Sequence, residues 1–179
     1  MHWEHCSYVY DTLGETTWQR MDGGYIYGKG MWASSLKHDG TCFHVVFTSN
    51  DTGHSYHFTA EKAEGPWVRK EMSGFWYDPG LLFDDGRVYI AHGNCTIRIT
   101  ELTDDLSAKK DGDLDRIAVQ DASEGLGWEG SCLLHIGGWY YLFYAGIHDS
   151  LHRLHRYSER DADLPGRRDC RLVAGYSAE

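Results

Sequence analysis

The sequence predicts an all-β protein with β-propeller architecture, from its composition and from an internal repeat. Aromatic residues make up 14% of the 179 residues, including 7 Trp and 12 Tyr, and there are 21 Gly but only 3 Pro. Many aromatic residues together with many glycines are typical of short strands joined by tight turns. A chain of this length can form one domain with a buried core.

The repeat consists of three segments that open at Trp32, Asp78 and Glu129. Each segment carries a Leu at position +4, a Gly at position +8 and an aromatic residue at position +11 from its opening residue. These are Leu36, Leu82 and Leu133, then Gly40, Gly86 and Gly137, then Phe43, Tyr89 and Tyr140. The openings lie 46 and 51 residues apart, which is the period of propeller blades and not of helical repeats.

Each segment predicts a first strand, a glycine turn and a returning second strand. The second strands are predicted at residues 42–47, 87–91 and 139–144, and third strands at residues 56–60 and 96–100. Residues 65–67 (Gly-Pro-Trp) are expected to close one blade with a turn and an aromatic plug. The only stretch with helical character is residues 102–110, and it is short.

The repeat predicts about three blades of a partial propeller domain that covers residues 1–179. The expected parts are a first-blade tail and connector (1–31), a second blade (32–77), a third blade (78–128), and the start of a fourth repeat segment with a frayed C-terminus from Leu151 (129–179). Closed propellers have about 4–8 blades, so this chain cannot close a ring alone. Open blade edges are templates for strand pairing, and homo-oligomers are therefore a possible assembly.

Charge and hydropathy exclude several classes of function. The net charge of −10 comes from 17 basic and 27 acidic residues, and such a surface repels phosphate backbones, so no nucleic-acid partner is predicted. The longest mainly apolar run, residues 139–147, is far shorter than the roughly 20 residues that span a bilayer. Five scattered Cys favour free thiols over a disulfide framework. No signal peptide is visible, but Met1 need not be the natural start, so the compartment stays open.

The repeat openings are the candidate site. Innermost strands of a propeller run side by side along the central channel, so Asp78 and Glu129 are expected at the same mouth of that channel. Two carboxylates that lie close raise each other's affinity for a proton, and a carboxyl that stays protonated near neutral pH suits a general acid for a glycosidic oxygen. Trp32 offers a flat apolar face to a sugar ring, and Tyr77 a second one. The alternative is that both acids are turn or cap residues and that Trp32 is a core plug.

Two longer runs carry a resemblance to a known family. Residues 76–90 (WYDPGLLFDDGRVYI) and residues 128–143 (WEGSCLLHIGGWYYLF) resemble conserved blocks of glycoside hydrolase family 43. Trp32-Ala33 is similar to the opening of that family's second blade, and Gly65-Pro66-Trp67 to its blade closure. The resemblance covers about residues 1–147.

The resemblance implies a five-bladed β-propeller that cleaves xylosidic or arabinofuranosidic bonds with inversion. Glu129 would be the general acid, and Asp78 the carboxylate that orients it and tunes its proton affinity. Trp32 and Tyr77 would line the sugar subsite. The implied substrate is a xylo- or arabino-oligosaccharide, and no cofactor is predicted.

One member of the implied catalytic set is not found. The family's general base is an Asp that opens the first blade, and one period before Trp32 falls before Met1. An inverting enzyme needs that base about 6.5–9.5 Å from the acid, to activate water. We therefore expect a catalytically incomplete fragment. A non-catalytic carbohydrate-binding propeller fragment is the alternative.

Weaker motifs do not predict further sites. Asp111, Asp113 and Asp115 alternate as in a Ca²⁺ loop, but Arg116 stands where that loop needs Gly, so a solvated inter-strand loop is predicted. Cys132 is interpreted as a buried thiol and not as a nucleophile. No residue is assigned to a metal.

Overall fold

The computed structural model describes residues 2–14, 17–20, 22, 24, 26–120, 128–146 and 152–158. The side chains of residues 17, 18, 146 and 152–158 are outside this description. Gly23 and residues 159–179 of the predicted frayed C-terminus lie wholly outside the described residues.

Eleven strands form three antiparallel sheets in the described residues. Sheet 1 contains β1 Met31–His38, β2 Phe43–Ser49, β3 His54–Ala60 and β4 Val68–Lys70. Sheet 2 contains β5 Gly80–Asp84, β6 Arg87–His92, β7 Thr96–Leu102 and β8 Asp115–Gln120. Sheet 3 contains β9 Trp128–Ile136, β10 Trp139–Gly146 and β11 His152–Ser158. A 3-10 turn at Thr17–Arg20 is the only helical element of the described chain, and the all-β prediction is confirmed.

The predicted second and third strands correspond to strands β2, β3, β6, β7 and β10. Two predictions from the sequence are wrong. Residues 152–158 have little strand character in sequence, yet they form β11, because they pair along the full length of β10. Cys132 is exposed and not buried, since it lies on the face of β9 opposite to Leu133, which is 1% exposed.

The helical character of residues 102–110 is also not realised. Leu102 ends β7, and the chain then makes a compact turn in which Thr103 N donates to Ala108 O at 2.8 Å. Asp105 Oδ1 accepts hydrogen bonds from Thr103 Oγ1 at 2.6 Å and from Ser107 N at 3.0 Å. Short polar side chains that bond nearby backbone groups compete with helix formation in this way.

The outer strands β4 and β8 have no signal in sequence, because most of their residues are exposed and charged residues interrupt any alternation. Residues 111–114 form a loop, as predicted, but Asp115 begins β8. Arg98 Nη2 lies 2.8 Å from Asp115 Oδ1, and Lys109 also contacts this carboxylate. These cations occupy the carboxylate that a calcium loop would have used.

Sheet 2 is buried on both faces. Along β6, Val88 and Ile90 belong to the apolar cluster shared with Val46 of sheet 1, whereas Tyr89 and Ala91 belong to the cluster shared with sheet 3. This alternation follows from the two-residue period of side chains in a strand. The three sheets therefore pack face to face in chain order, as neighbouring blades do.

The outward face of sheet 1 is covered differently. Residues 2–14 contain no strand, and Val9, Tyr10 and Leu13 pack against the apolar cluster of Phe47 and its neighbours. Trp67 packs against the same cluster, and its Nε1 donates to Ser7 Oγ at 3.1 Å.

The repeated leucines differ in burial because of this partial cover. Leu82 and Leu133 are 8% and 1% exposed, but Leu36 is 59% exposed. The division of the chain into blades at the boundaries given above stays a prediction.

The innermost strands lie side by side in the register of the sequence repeat. Leu81 N donates to Ser35 Oγ at 3.0 Å, and both residues hold position +3 of their segments. Gly80 and Ser131, both at position +2, approach so closely that a Cβ on Gly80 would lie 2.3 Å from Ser131 O. Residues at the same position of the sequence repeat are therefore neighbours on adjacent innermost strands.

A polar chain leads from the exposed Asp39 into the interface between sheets 1 and 2. His44 Nε2 lies 3.0 Å from Asp39 Oδ2, and His44 Nδ1 lies 3.0 Å from His57 Nε2. Since the carboxylate only accepts, His44 Nε2 donates to it, and a neutral His44 then accepts from His57 Nε2. His57 is 2% exposed, and its Nδ1 has no hydrogen-bond partner among the described residues.

We expect the stability of the chain to fall between pH 6.5 and pH 4. Burial lowers the pKa of His57 to about 4, helped by His44 and Lys70 and opposed by Asp105. Burial also lowers the pKa of His92 to about 4. In this pH window the unfolded chain binds protons that the folded chain does not, so stability is highest above pH 6.5 and is lost as pH falls to 4. The loss is on the order of 3 kcal/mol for each histidine.

Thermal unfolding at pH 7.0, 5.5 and 4.0 measures this dependence. A His57→Gln variant should be less stable at pH 7 but should lose less stability on acidification. An equal slope in the variant would show that His57 does not carry the effect. Asp39 does not interfere, because hydrogen bonds from Cys42 and Thr41 outweigh its desolvation and hold its pKa at about 2.

Candidate active site

The candidate residues meet where β1, β5 and β9 begin. The rings of Trp32 and Tyr77 lie 5.0 Å apart at 75°. Tyr77 OH donates to Glu129 Oε2 at 2.9 Å, and Asp78 Oδ2 accepts from Gly130 N at 3.1 Å. Side chains from three consecutive sheets thus converge at one end of the molecule.

Asp78 is held in an unusual backbone conformation. Its φ is +45°, a region that non-glycine residues rarely adopt and that is found at functional sites. Asp78 is separated from β5 by Pro79 alone, and its carboxylate lies against the backbone of sheet 3. Burial, and secondly the charge of Glu129, raise the pKa of Asp78, against the hydrogen bond from Gly130. The two carboxylates therefore interact electrostatically, as adjacent acids do.

Glu129 lies at the second position of β9, and one of its oxygens is fully engaged. Oε2 accepts from Tyr77 OH and also from Asn94 Nδ2, the latter at 2.8 Å. No hydrogen bond to Oε1 is seen from the described residues, so this oxygen remains available for a ligand. Burial raises the pKa of the Tyr77 phenol further above its usual range, so the hydroxyl keeps its proton and donates.

Sequence reasoning missed Asn94. It lies in the turn between β6 and β7, 16 residues after Asp78, where the other segments have Thr48 and Ala145. The repeat therefore gave no signal for it. The one available clue comes from the up-and-down course of the strands. The turn between the second and third strands of a blade lies at the same end as the start of its first strand.

Trp32 is half-buried and belongs to none of the apolar clusters of the described chain. The sequence had left open that Trp32 is a core plug, and this position does not favour that alternative. Its ring borders the same space as Tyr77 and Glu129. A ring in this position can stack on the apolar face of a sugar.

The described residues contain no group of three or more His, Cys, Asp or Glu side chains arranged to bind a metal ion. They also include no helix with the length and apolarity needed to cross a bilayer. The site as described consists of carboxylates, aromatic rings and one amide.

Comparison with known proteins identifies the family. Residues 1–166 match the family described as "Glycosyl hydrolases family 43". The chain belongs to glycosyl hydrolase family 43. The resemblance seen in the sequence is confirmed.

Three relatives of this family 43 chain illustrate the match. A "Xylosidase/arabinosidase 43B" of Humicola insolens is 43% identical over an alignment of 67 residues, and the match covers 31% of this chain and 12% of the relative. A structure titled "Bifunctional GH43-CE" from Bacteroides eggerthii is 31% identical with a TM-score of 0.78, over 95% of this chain and 23% of its own. A GH43 glycoside hydrolase engineered to display endo-xylanase and exo-arabinofuranosidase activity has a TM-score of 0.77 at 22% identity, over 97% of this chain and 35% of its own.

These matches also establish the propeller. The solved GH43 relatives are five-bladed β-propellers, and this family 43 chain covers part of one. The chain spans 12% to 35% of the length of these relatives. The three packed sheets are thus consecutive portions of a larger ring.

Proposed function

We propose that this chain supplies the acid side of a glycosidase site that hydrolyses xylosidic or arabinofuranosidic bonds with inversion. The observation that carries the proposal is the convergence of Asp78 and Glu129 from neighbouring innermost strands beside Trp32. The family 43 membership supports it, and one relative is named a xylosidase/arabinosidase. The substrate class is a xylo- or arabino-oligosaccharide.

Glu129 acts as the general acid in this proposal. Its carboxyl proton passes to the glycosidic oxygen while the bond from the anomeric carbon to that oxygen breaks, and the bonding electrons go to the leaving oxygen. A water attacks the anomeric carbon from the opposite face and gives its proton to a general base. No described residue supplies that base, and the proposal places it on a further blade of the ring.

Asp78 acts on Glu129 and not on the sugar. Its negative charge favours the protonated form of a neighbouring carboxyl, and its hydrogen bond from Gly130 fixes the backbone that follows Glu129. Trp32 and Tyr77 border the sugar subsite. Tyr77 has a second role, because its hydroxyl holds Glu129 Oε2.

The alternative is a carbohydrate-binding propeller fragment without catalysis, which the same aromatic rings would serve. Incubation of the chain with aryl xylosides and aryl arabinofuranosides tests for aglycone release, while calorimetry with xylo- and arabino-oligosaccharides tests for binding. The alternative is selected if this chain and a complete propeller both bind the oligosaccharides but neither of them releases the aglycone. The complete propeller is this sequence joined to the remaining blades of the Bacteroides eggerthii relative. If both proteins failed to bind the oligosaccharides and failed to release the aglycone, both functions would be contradicted.

Assembly through open blade edges is part of the proposal. The outward face of sheet 1 leaves Leu36 and Met31 59% and 46% exposed, and exposed apolar strands favour pairing between chains. We expect dimers or larger species in sedimentation. A monomer at all concentrations would contradict this part of the proposal.

Replacement of Asp78 by asparagine tests the electrostatic role. We expect the pH profile of the complete propeller to change, because the variant removes a carboxyl whose pKa is raised by burial and by the charge of Glu129. The pH dependence of kcat/KM on an aryl xyloside measures the shift. An unmoved profile would remove the proposed role of Asp78.

A further inference from the structure

The turn between β6 and β7 is anchored to both acid-bearing strands. Gly93 N donates to Tyr77 O at 2.9 Å, and Tyr77 directly precedes Asp78. Cys95 N donates to Trp128 O at 3.2 Å, and Trp128 directly precedes Glu129. One short turn therefore connects the backbones on which the two carboxylates are placed.

The backbone of this turn leaves little freedom. Gly93 has a φ of +125°, and a Cβ there would lie 2.1 Å from Thr96 O. Cys95 has a φ of +60°, and Thr96 N donates to Asn94 O at 2.6 Å. Such conformations persist only where the surrounding contacts determine them, and they are found at functional sites.

The side chain of Asn94 is oriented from both of its ends. Its Nδ2 donates to Glu129 Oε2 at 2.8 Å, and its Oδ1 accepts from Cys95 Sγ at 3.1 Å. A carboxylate only accepts hydrogen bonds, so the amide must present its nitrogen to Glu129. The thiol donates to the amide oxygen and favours this same orientation.

Oε2 of Glu129 is then occupied by two donors, Asn94 Nδ2 and Tyr77 OH. When the carboxyl is protonated, an oxygen that accepts two hydrogen bonds is disfavoured as the site of the proton. The proton is therefore directed to Oε1, the oxygen left available for a ligand.

We propose that Asn94 is a positioning residue for the acid step: it holds Glu129 Oε2, so that Oε1 carries the proton to the glycosidic oxygen, and the Cys95 thiol sets the orientation of its amide. This inference rests on the proposed function. It adds a residue of the β6–β7 turn to a site whose acids lie on β9 and immediately before β5.

The contact itself is tested without activity. In the ¹⁵N-labelled chain, we expect the side-chain amide protons of Asn94 to shift with pH, and we expect that dependence to disappear in Glu129→Gln. Cys95→Ala should change the amide shifts more than Cys95→Ser, because serine keeps a donor. If neither Glu129→Gln nor Cys95→Ala changed the chemical shifts of the Asn94 side-chain amide, the proposal would be overturned.

The consequence for catalysis is tested in the complete propeller. Asn94→Ala should lower kcat on substrates with poor leaving groups about 10- to 100-fold, which is the scale of one hydrogen bond to a charged group. Its pH profile should also change, because Glu129 loses the donor Asn94 Nδ2. Asn50→Ala, in the corresponding turn of sheet 1, should have no effect.

The two failures are distinguishable. Equal losses on good and poor leaving groups with an unmoved pH profile would overturn the role of Asn94 while leaving the proposed function intact. A wild-type complete propeller that releases no aglycone would contradict the proposed function, and the amide resonances would then still decide the contact between Asn94 and Glu129.

Discussion

Replacement of Glu129 by alanine in the complete propeller is expected to lower kcat about 1,000-fold on xylosides with poor leaving groups, within the range of general acid catalysis. An aryl glycoside with an activated leaving group needs little protonation and should lose far less. This assignment is consistent with the geometry, because Tyr77 and Asn94 both hold Oε2 of Glu129 and no described residue donates to Oε1. The measurement is the slope of log kcat against leaving-group pKa for variant and wild type.

Glu129→Gln provides the matched control, since it keeps the volume and can still accept at its oxygen but cannot deliver the acidic proton. It should resemble Glu129→Ala in its leaving-group dependence while staying as stable as the wild type. If either variant lost the same factor on all leaving groups, Glu129 would not be the acid.

Replacement of Gly80 by alanine is expected to produce a large loss of stability. The added Cβ would lie 2.3 Å from Ser131 O and 2.9 Å from Ser131 C, and neither is the flexible end of a side chain. β5 and β9 must therefore move apart, at a cost of about 3 kcal/mol, which lowers Tm by about 10 °C for a chain of this size. Differential scanning calorimetry measures the change.

Gly53→Ala separates this clash from a general effect of alanine. Gly53 has a φ of +69°, and a Cβ there would have no atom within 4 Å. Only the backbone strain of about 1 kcal/mol applies. A Gly80→Ala variant no less stable than Gly53→Ala would contradict the close approach of the two strands.

Gly80→Ala should also affect chemistry at the site. Asp78 lies two residues before the clash and Glu129 two residues before Ser131, so separation of the strands separates the carboxylates. In the complete propeller, the variant should therefore lose activity even at temperatures where it remains folded. Unchanged kcat in a destabilised variant would show that the two effects are independent.

The repeat in the sequence was sufficient to predict the register of the innermost strands. Positions such as Ser35 and Leu81 follow from it because each blade begins with the same strand, and the steric demands of neighbouring strands are the same around the ring. The convergence of the Asp78 and Glu129 carboxylates was predictable for this reason. Their exact partners were not, since hydrogen bonds from turns obey no period.

The elements that the sequence did not predict share a physical cause. β4 and β8 are edge strands in which most side chains are exposed, so no hydrophobic alternation marks them. His44 and His57 are buried and hydrogen-bonded to each other, with the exposed Asp39 as the outer partner of His44, and no hydrophobic pattern marks them. Contacts between segments that are distant in sequence determine these strands and these buried histidines, and the local sequence does not show such contacts.

The double burial of sheet 2 has a consequence for cooperativity. No single sheet can melt without exposing a core that its neighbour shares, so the three should unfold in one transition. Any sugar that bridges Trp32 and Glu129 would then protect β-strands on the far side of the molecule from proteolysis, at positions it never touches.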